Sequence, residues 1–213
     1  LLNVMPKPLK SQAVESIRNA IIQGVLKNDE MITEKLVKEK FGISRTPFRE
    51  AIQLLEAQGW VYTVPYTGTY VKPITMTDID EVFEMRSIIE SSIVRFLQER
   101  KISIDELKLV MKNMEDRMED FSDYEFMQED QAFHYKLYEL TNNKRLISVY
   151  NQVSDMMLRI GVNVLYKKER RLEVIKEHND IVKGLENGTG DKEIITHLEK
   201  TKKTFISVYE NMK

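Results

Sequence analysis

The 213-residue chain has no cysteine, which excludes disulfides, thiolate metal sites and cysteine nucleophiles together. Histidine is scarce, with only three residues. No apolar run approaches the length of a membrane span, and residues 1–10 lack the basic start and apolar centre of a secretory signal. Neither sign of charge dominates: the net charge is -2, so overall basicity does not advertise a polyanionic partner. H-E-x-x-H metal motifs, phosphate loops, internal repeats and low-complexity segments are all missing. What remains is an expected cytoplasmic globular protein without a membrane partner, 42% hydrophobic and 31% charged.

The charge is unevenly distributed. Residues 1–74 carry ten Lys and Arg against seven Asp and Glu, and the remainder of the chain is acidic. Along this first third, Val14, Ile17, Ile21 and Ile22 share a helical face, with Ser11 read as N-cap and Gly24 as the stop. Thr33 can cap a second helix, "EKLVKEKF", which Gly42 ends. A third opens at Ser44, with Pro47 in its first turn and Ala51, Ile52, Leu54 and Leu55 on its buried side. "WVYTVPYTGTYVKP" then reads as a hairpin turning at Tyr66-Thr67-Gly68. Three helices followed by a two-stranded wing is the order of a winged helix-turn-helix.

From Thr77 the pattern is helical throughout. Ile79, Val82, Phe83, Ile89, Ile93 and Phe96 recur on one long helix, and further periodic stretches cover residues 104–119, 123–140, 143–165, 170–187 and 191–211. The expected fold is therefore mainly α: a winged helix-turn-helix (1–73), a linker (74–78) and an antiparallel all-α bundle (79–213). Bundles of this kind bind ligands in their cores.

A recognition helix must offer donors from its first turns while its other face stays buried. Arg45 and Arg49 stand four residues apart and project from one face, able to meet guanine or phosphate. Ser44 and Thr46 add hydroxyls at the helix N-terminus, and Glu50 can accept from a cytosine amine or orient an arginine. Lys35 and the wing tip Thr67, Gly68 and Thr69 would contact backbone and minor groove. In the bundle, Asp130 and His134 share a face at chelating spacing.

The segment Ser44-Arg45-Thr46-Pro47-Phe48-Arg49-Glu50-Ala51-Ile52, with Leu55, Gly59, Gly68 and Val71, resembles the DNA-binding domain of the GntR family of bacterial regulators. The remainder resembles its FadR-type subfamily, whose effector domain is called FCD, through Arg86 and Glu90, Asp130 and His134, and Glu177 and His178. The resemblance implies a homodimeric transcription regulator, repression being the commoner mode, bound to a pseudo-palindromic DNA operator. It further implies one divalent ion per chain (Zn, Ni, Mn or Fe) held by Asp130, His134, His178 and a histidine on the last helix, with a small carboxylate as effector.

His197 is the ligand in question. Aligning Gly190-Asp191 with the family pattern places the last ligand near Lys202, and His197 reads as lying on another face. The site then has three ligands, or Lys202 replaces the ion with a cation that attracts an organic acid directly, unless a local shift brings His197 inward. Arg86 reads either as a clamp for the effector carboxylate or as a partner of Glu90. Two other classes stay open: a metal-dependent helical enzyme with an accessory DNA-binding domain, and an architectural DNA-binding protein with a purely structural bundle.

Overall fold

The structure, a computed structural model, describes residues 7–161 and 168–211, and the chain divides after Ile74 into two compact units. The first contains α1 (Leu9–Ile22), β1 (Met31–Ile32), α2 (Glu34–Phe41), α3 (Arg45–Ala57), β2 (Val61–Val64) and β3 (Gly68–Val71). Its core gathers Ile17 and Ile21 of α1, Val37 of α2, Ala51 and Leu55 of α3, and Val61 and Val71 of the sheet.

Local chemistry accounts for most of the boundaries. Thr33 accepts the Leu36 N–H and caps α2, and Gly42 ends it with φ 68, a left-handed conformation that glycine adopts without strain. Ser44 takes the N-cap position of α3, although its hydroxyl makes no capping hydrogen bond. α1 begins at Leu9, so Ser11 lies inside the helix rather than capping it. On α3, Phe48 is buried and Leu54 is not. The wing is a three-stranded antiparallel sheet in the order β1-β3-β2, with Tyr62 opposite Tyr70 and Met31 also opposite Tyr70. The extra strand, β1, is two residues long, too short to show an alternation in sequence.

The second unit contains α4 (Met76–Glu99), α5 (Asp105–Arg117), α6 (Asp123–Leu140), α7 (Lys144–Gly161), α8 (Lys168–Asn187) and α9 (Gly190–Asn211). α4 starts within the stretch read as a linker, because Thr75 and Asp78 form a reciprocal capping box. Ser122 and Glu125 do the same for α6. Residues 162–165, the end of the helix expected over 143–165, lie outside the described residues. Among the described residues, no helix is long and apolar enough to cross a membrane.

α9 packs along both α4 and α8. The α8–α9 corner is tight: a Cβ on Gly184 would stand 2.7 Å from the Gly190 Cα. The buried face of α4 runs through Ile79, Phe83, Arg86, Glu90, Ile93 and Leu97, so an ion pair occupies the middle of an otherwise apolar stripe.

Candidate functional site

Asp130 and His134 of α6, His178 of α8 and His197 of α9 come together in the core of the second unit. All four are buried, and one donor atom from each lies within 4.8 Å of the others. The Nε2 atoms of His134 and His197 are 3.2 Å apart, and His178 Nε2 is 3.4 Å from Asp130 Oδ1. His178 also stacks on Phe133, with ring centroids 3.9 Å apart.

Three of the four donors are held from outside. His134 Nδ1 lies 2.8 Å from Glu90 Oε2, and His197 Nδ1 lies 2.7 Å from Glu177 Oε2. Asp130 Oδ2 accepts from Gln131 Nε2 at 3.1 Å, while Gln131 Oε1 accepts from the Tyr150 hydroxyl at 2.9 Å. Burial alone would raise the Glu90 carboxyl, but Arg86 and His134 outweigh it and bring its pKa down to about 2. Burial likewise opposes His197 and Arg170 at Glu177, and loses, leaving it at about 2. Both carboxylates are therefore ionised acceptors at neutral pH.

The donor set fits a cation. An ionised carboxylate beside Nδ1 requires that nitrogen to carry the proton, which leaves Nε2 as a bare lone pair in the neutral ring. The two Nε2 atoms face each other across 3.2 Å, so with both rings neutral a cation between them would meet two lone pairs. Burial, reinforced by the neighbouring histidines, drives the His178 pKa well below its ordinary value, and burial lowers that of His197 against the opposing pull of Glu177. Neutral imidazoles are the form that ligates metal. Among the described residues, neither ring nitrogen of His178 has a hydrogen-bond partner, and both are buried, an uncommon condition for buried polar atoms that coordination at one of them would relieve.

His197 thus faces inward, the one of the three open arrangements in which a local shift brings it to the site. The buried stripe of α9 runs Ile194, His197, Leu198, Thr201 and Phe205, and Lys202 sits at its edge, paired with Asp80 at 2.7 Å. Arg86 is committed to Glu90, its Nε 2.7 Å from Oε1, with both side chains buried. Sequence reasoning missed Gln131, Tyr150, Arg170 and Phe133. Glu177 had been noted only as a neighbour of His178; adjacent helix positions point about 100° apart, and it reaches His197 instead.

In the first unit, Ser44, Arg45, Thr46, Arg49 and Glu50 are exposed along the start of α3, as are Lys35 on α2 and Thr67 in the wing. Gly68 and Thr69 are half-buried beside it. Arg45 Nε and Arg49 Nε both approach one carboxylate oxygen of Glu34, at 3.3 and 3.0 Å. The arginine-orienting role expected of Glu50 is thus filled by Glu34, at the first position of α2. Tyr66, fully exposed with φ 63, stands at the wing tip.

Two family models match the chain: "Bacterial regulatory proteins, gntR family" over residues 9–71 and "FCD domain" over residues 81–193. The uncharacterized HTH-type transcriptional regulator YdhC of Bacillus subtilis is 27% identical over 181 residues, covering 83% of this chain and 80% of its own. The Uxu operon regulator of Haemophilus influenzae is 29% identical, covering 87% and 77%. The gluconate operon transcriptional repressor of Bacillus licheniformis is 22% identical, covering 84% and 75%. Among solved structures, a transcriptional regulator from Rhodococcus sp. RHA1 superposes with a TM-score of 0.77 at 19% identity, over 93% of this chain and 97% of that one. McbR/YncC of Escherichia coli does so at 0.70 and 18%, over 98% and 100%. These structural likenesses concern the fold.

Proposed function

As a member of the GntR family of bacterial regulators with an FCD domain, the chain is a DNA-binding transcription regulator, and we propose that it is a repressor whose operator affinity is set by a small carboxylate bound at a divalent ion in the helical unit. The observation that carries this reading is the buried meeting of Asp130, His134, His178 and His197. One carboxylate and three imidazoles suit Zn, Ni, Mn or Fe, one per chain. When bound, the ion would supply positive charge with coordination positions left for an anionic effector. A gluconate operon repressor among the relatives is named for a sugar carboxylate, which supports an effector of that class. The relatives are transcription regulators, so the chain is not read as an enzyme.

DNA would be gripped by a homodimer, one α3 per major groove, on half-sites about one helical turn (~34 Å) apart. Arg45 and Arg49 make the main contacts in this reading, with Ser44, Thr46, Glu50, Lys35 and the wing residues Thr67, Gly68 and Thr69 supporting. Exposed Ile88, beside an apolar groove lined by Ile89, Ile93, Phe96 and Leu146, supports a subunit contact on α4. An effector changes operator affinity only by as much as its binding differs between the two states of the dimer.

Elemental analysis of protein purified without chelator or metal-binding tag tests the centre of this reading. About one divalent ion per chain, lost in Asp130→Ala and His178→Ala, is the expected result. A metal-free protein that is folded and binds its operator would overturn the metal-assisted part and leave the regulator.

A further inference from the structure

The histidine cluster is held on two sides by ion pairs that repeat one another. On one side Arg86 donates from Nε to Glu90 Oε1 at 2.7 Å, and Glu90 Oε2 faces His134 Nδ1 at 2.8 Å. On the other, Arg170 donates through both terminal nitrogens to Glu177, at 3.0 and 3.2 Å, and Glu177 Oε2 faces His197 Nδ1 at 2.7 Å. The first of these ion pairs links α4 to α6, the other α8 to α9. They share no residue, and their Arg-to-Glu spacings, four residues and seven, each put the pair on one face of a helix.

We infer that Glu90 and Glu177 are positioning residues for the cation site, each acting through the imidazole it faces, with Arg86 and Arg170 as their fixed counter-charges. The inference rests on the metal reading above and deepens it. A neutral imidazole can keep its proton on either nitrogen, and only the tautomer with Nδ1–H leaves Nε2 free to ligate. A carboxylate that can only accept selects that tautomer and fixes the ring plane as well. Each arginine occupies oxygen lone pairs that would otherwise be buried without a partner. Thr201, one turn beyond His197 on α9, accepts from Arg170 Nη2 at 2.9 Å and ties the second guanidinium to the helix it serves.

His178 is the internal contrast. Its Nδ1 has no hydrogen-bond partner among the described residues, and its ring is placed by stacking on Phe133. Two ligands are thus oriented by hydrogen bonds and the third by packing.

The test uses the full chain and zinc alone. In nitrogen-15 spectra of the zinc-free and zinc-loaded protein, Nδ1 of both His134 and His197 should carry a proton. Glu90→Gln and Glu177→Gln should each weaken zinc binding by about ten- to a hundredfold in competition with a chromogenic chelator. Glu106→Gln, at the exposed end of an ion pair with Lys136, should leave zinc affinity unchanged. Folded Gln variants with unaltered zinc affinity would overturn the inference, as would bare Nδ1 nitrogens in the zinc-loaded protein. Should the variants fail to fold, the spectra of the unaltered protein decide. If the unaltered protein takes up no zinc, nor nickel, manganese or iron offered in its place, the metal reading itself falls, a result separate from bare Nδ1 nitrogens with zinc bound.

Discussion

His134 Nε2 and His197 Nε2 lie 3.2 Å apart on helices α6 and α9, although 63 residues separate them in the chain. A divalent ion held between them would bind the folded protein and not the unfolded chain. Zinc at a hundred times its dissociation constant should therefore raise stability by about 2.7 kcal/mol. Thermal unfolding with zinc and with chelator measures this directly. In His134→Ala and His197→Ala the two curves should coincide; a zinc-dependent rise surviving in either would remove that ring from the ligand set.

Gly184→Ala should destabilise the helical unit by about 1–3 kcal/mol, as overpacking does. The new methyl group would meet the backbone of Gly190, at 2.7 Å from its Cα, and a main chain cannot swing aside as a side chain can. Denaturant midpoints measure the cost. Zinc affinity should fall with it, because this corner sets the approach of His178 on α8 to His197 on α9.

Arg49→Ala should cost about 1–3 kcal/mol of operator affinity as a base-reading contact. Glu34→Gln should act in the opposite sense on random DNA. It releases Arg45 and Arg49 from a shared carboxylate, so non-specific binding should tighten and the ratio of operator to random affinity should fall. Fluorescence anisotropy on both duplexes across a salt series distinguishes these outcomes. An unchanged ratio would show that Glu34 orients neither arginine on DNA.

Acid should dissolve one helix cap in particular. The Glu125 carboxylate accepts from the Ser122 hydroxyl and backbone N–H, and these hydrogen bonds hold its pKa below the ordinary 4.5. A depressed folded-state value gives stability that is fully present above about pH 4.5 and is lost as pH falls through the lower value. The difference in thermal midpoint between the unaltered protein and Glu125→Ala should accordingly be constant near neutrality and shrink below pH 4.5. A gap independent of pH would mean that the carboxylate does not take part in the cap.

Much of this was legible in the chain. The helical spacing of apolar residues located the long helices, and Thr33 marked a start that the structure keeps. Asp130 and His134 could be paired because both sit on one helix at a spacing that local geometry enforces. β1 escaped notice because two residues carry no periodicity. The third and fourth ligands come from other helices, and whether His197 faced inward turned on one residue of register in α9. Leu198 and Phe205 are spaced compatibly with either choice, since a buried stripe is wider than a single position.

The sequence by itself determined the element types, most of their limits and the DNA-facing half, because propensity, capping and amphipathic period are local properties of consecutive residues. Only the tertiary structure decided which histidine each buried charge pair serves. Arg86 with Glu90 and Arg170 with Glu177 lie within single helices at helical spacing, but His134 and His197 reach those carboxylates from other helices, where burial makes an unpaired charge too costly to keep and packing, not spacing along the chain, selects the partner.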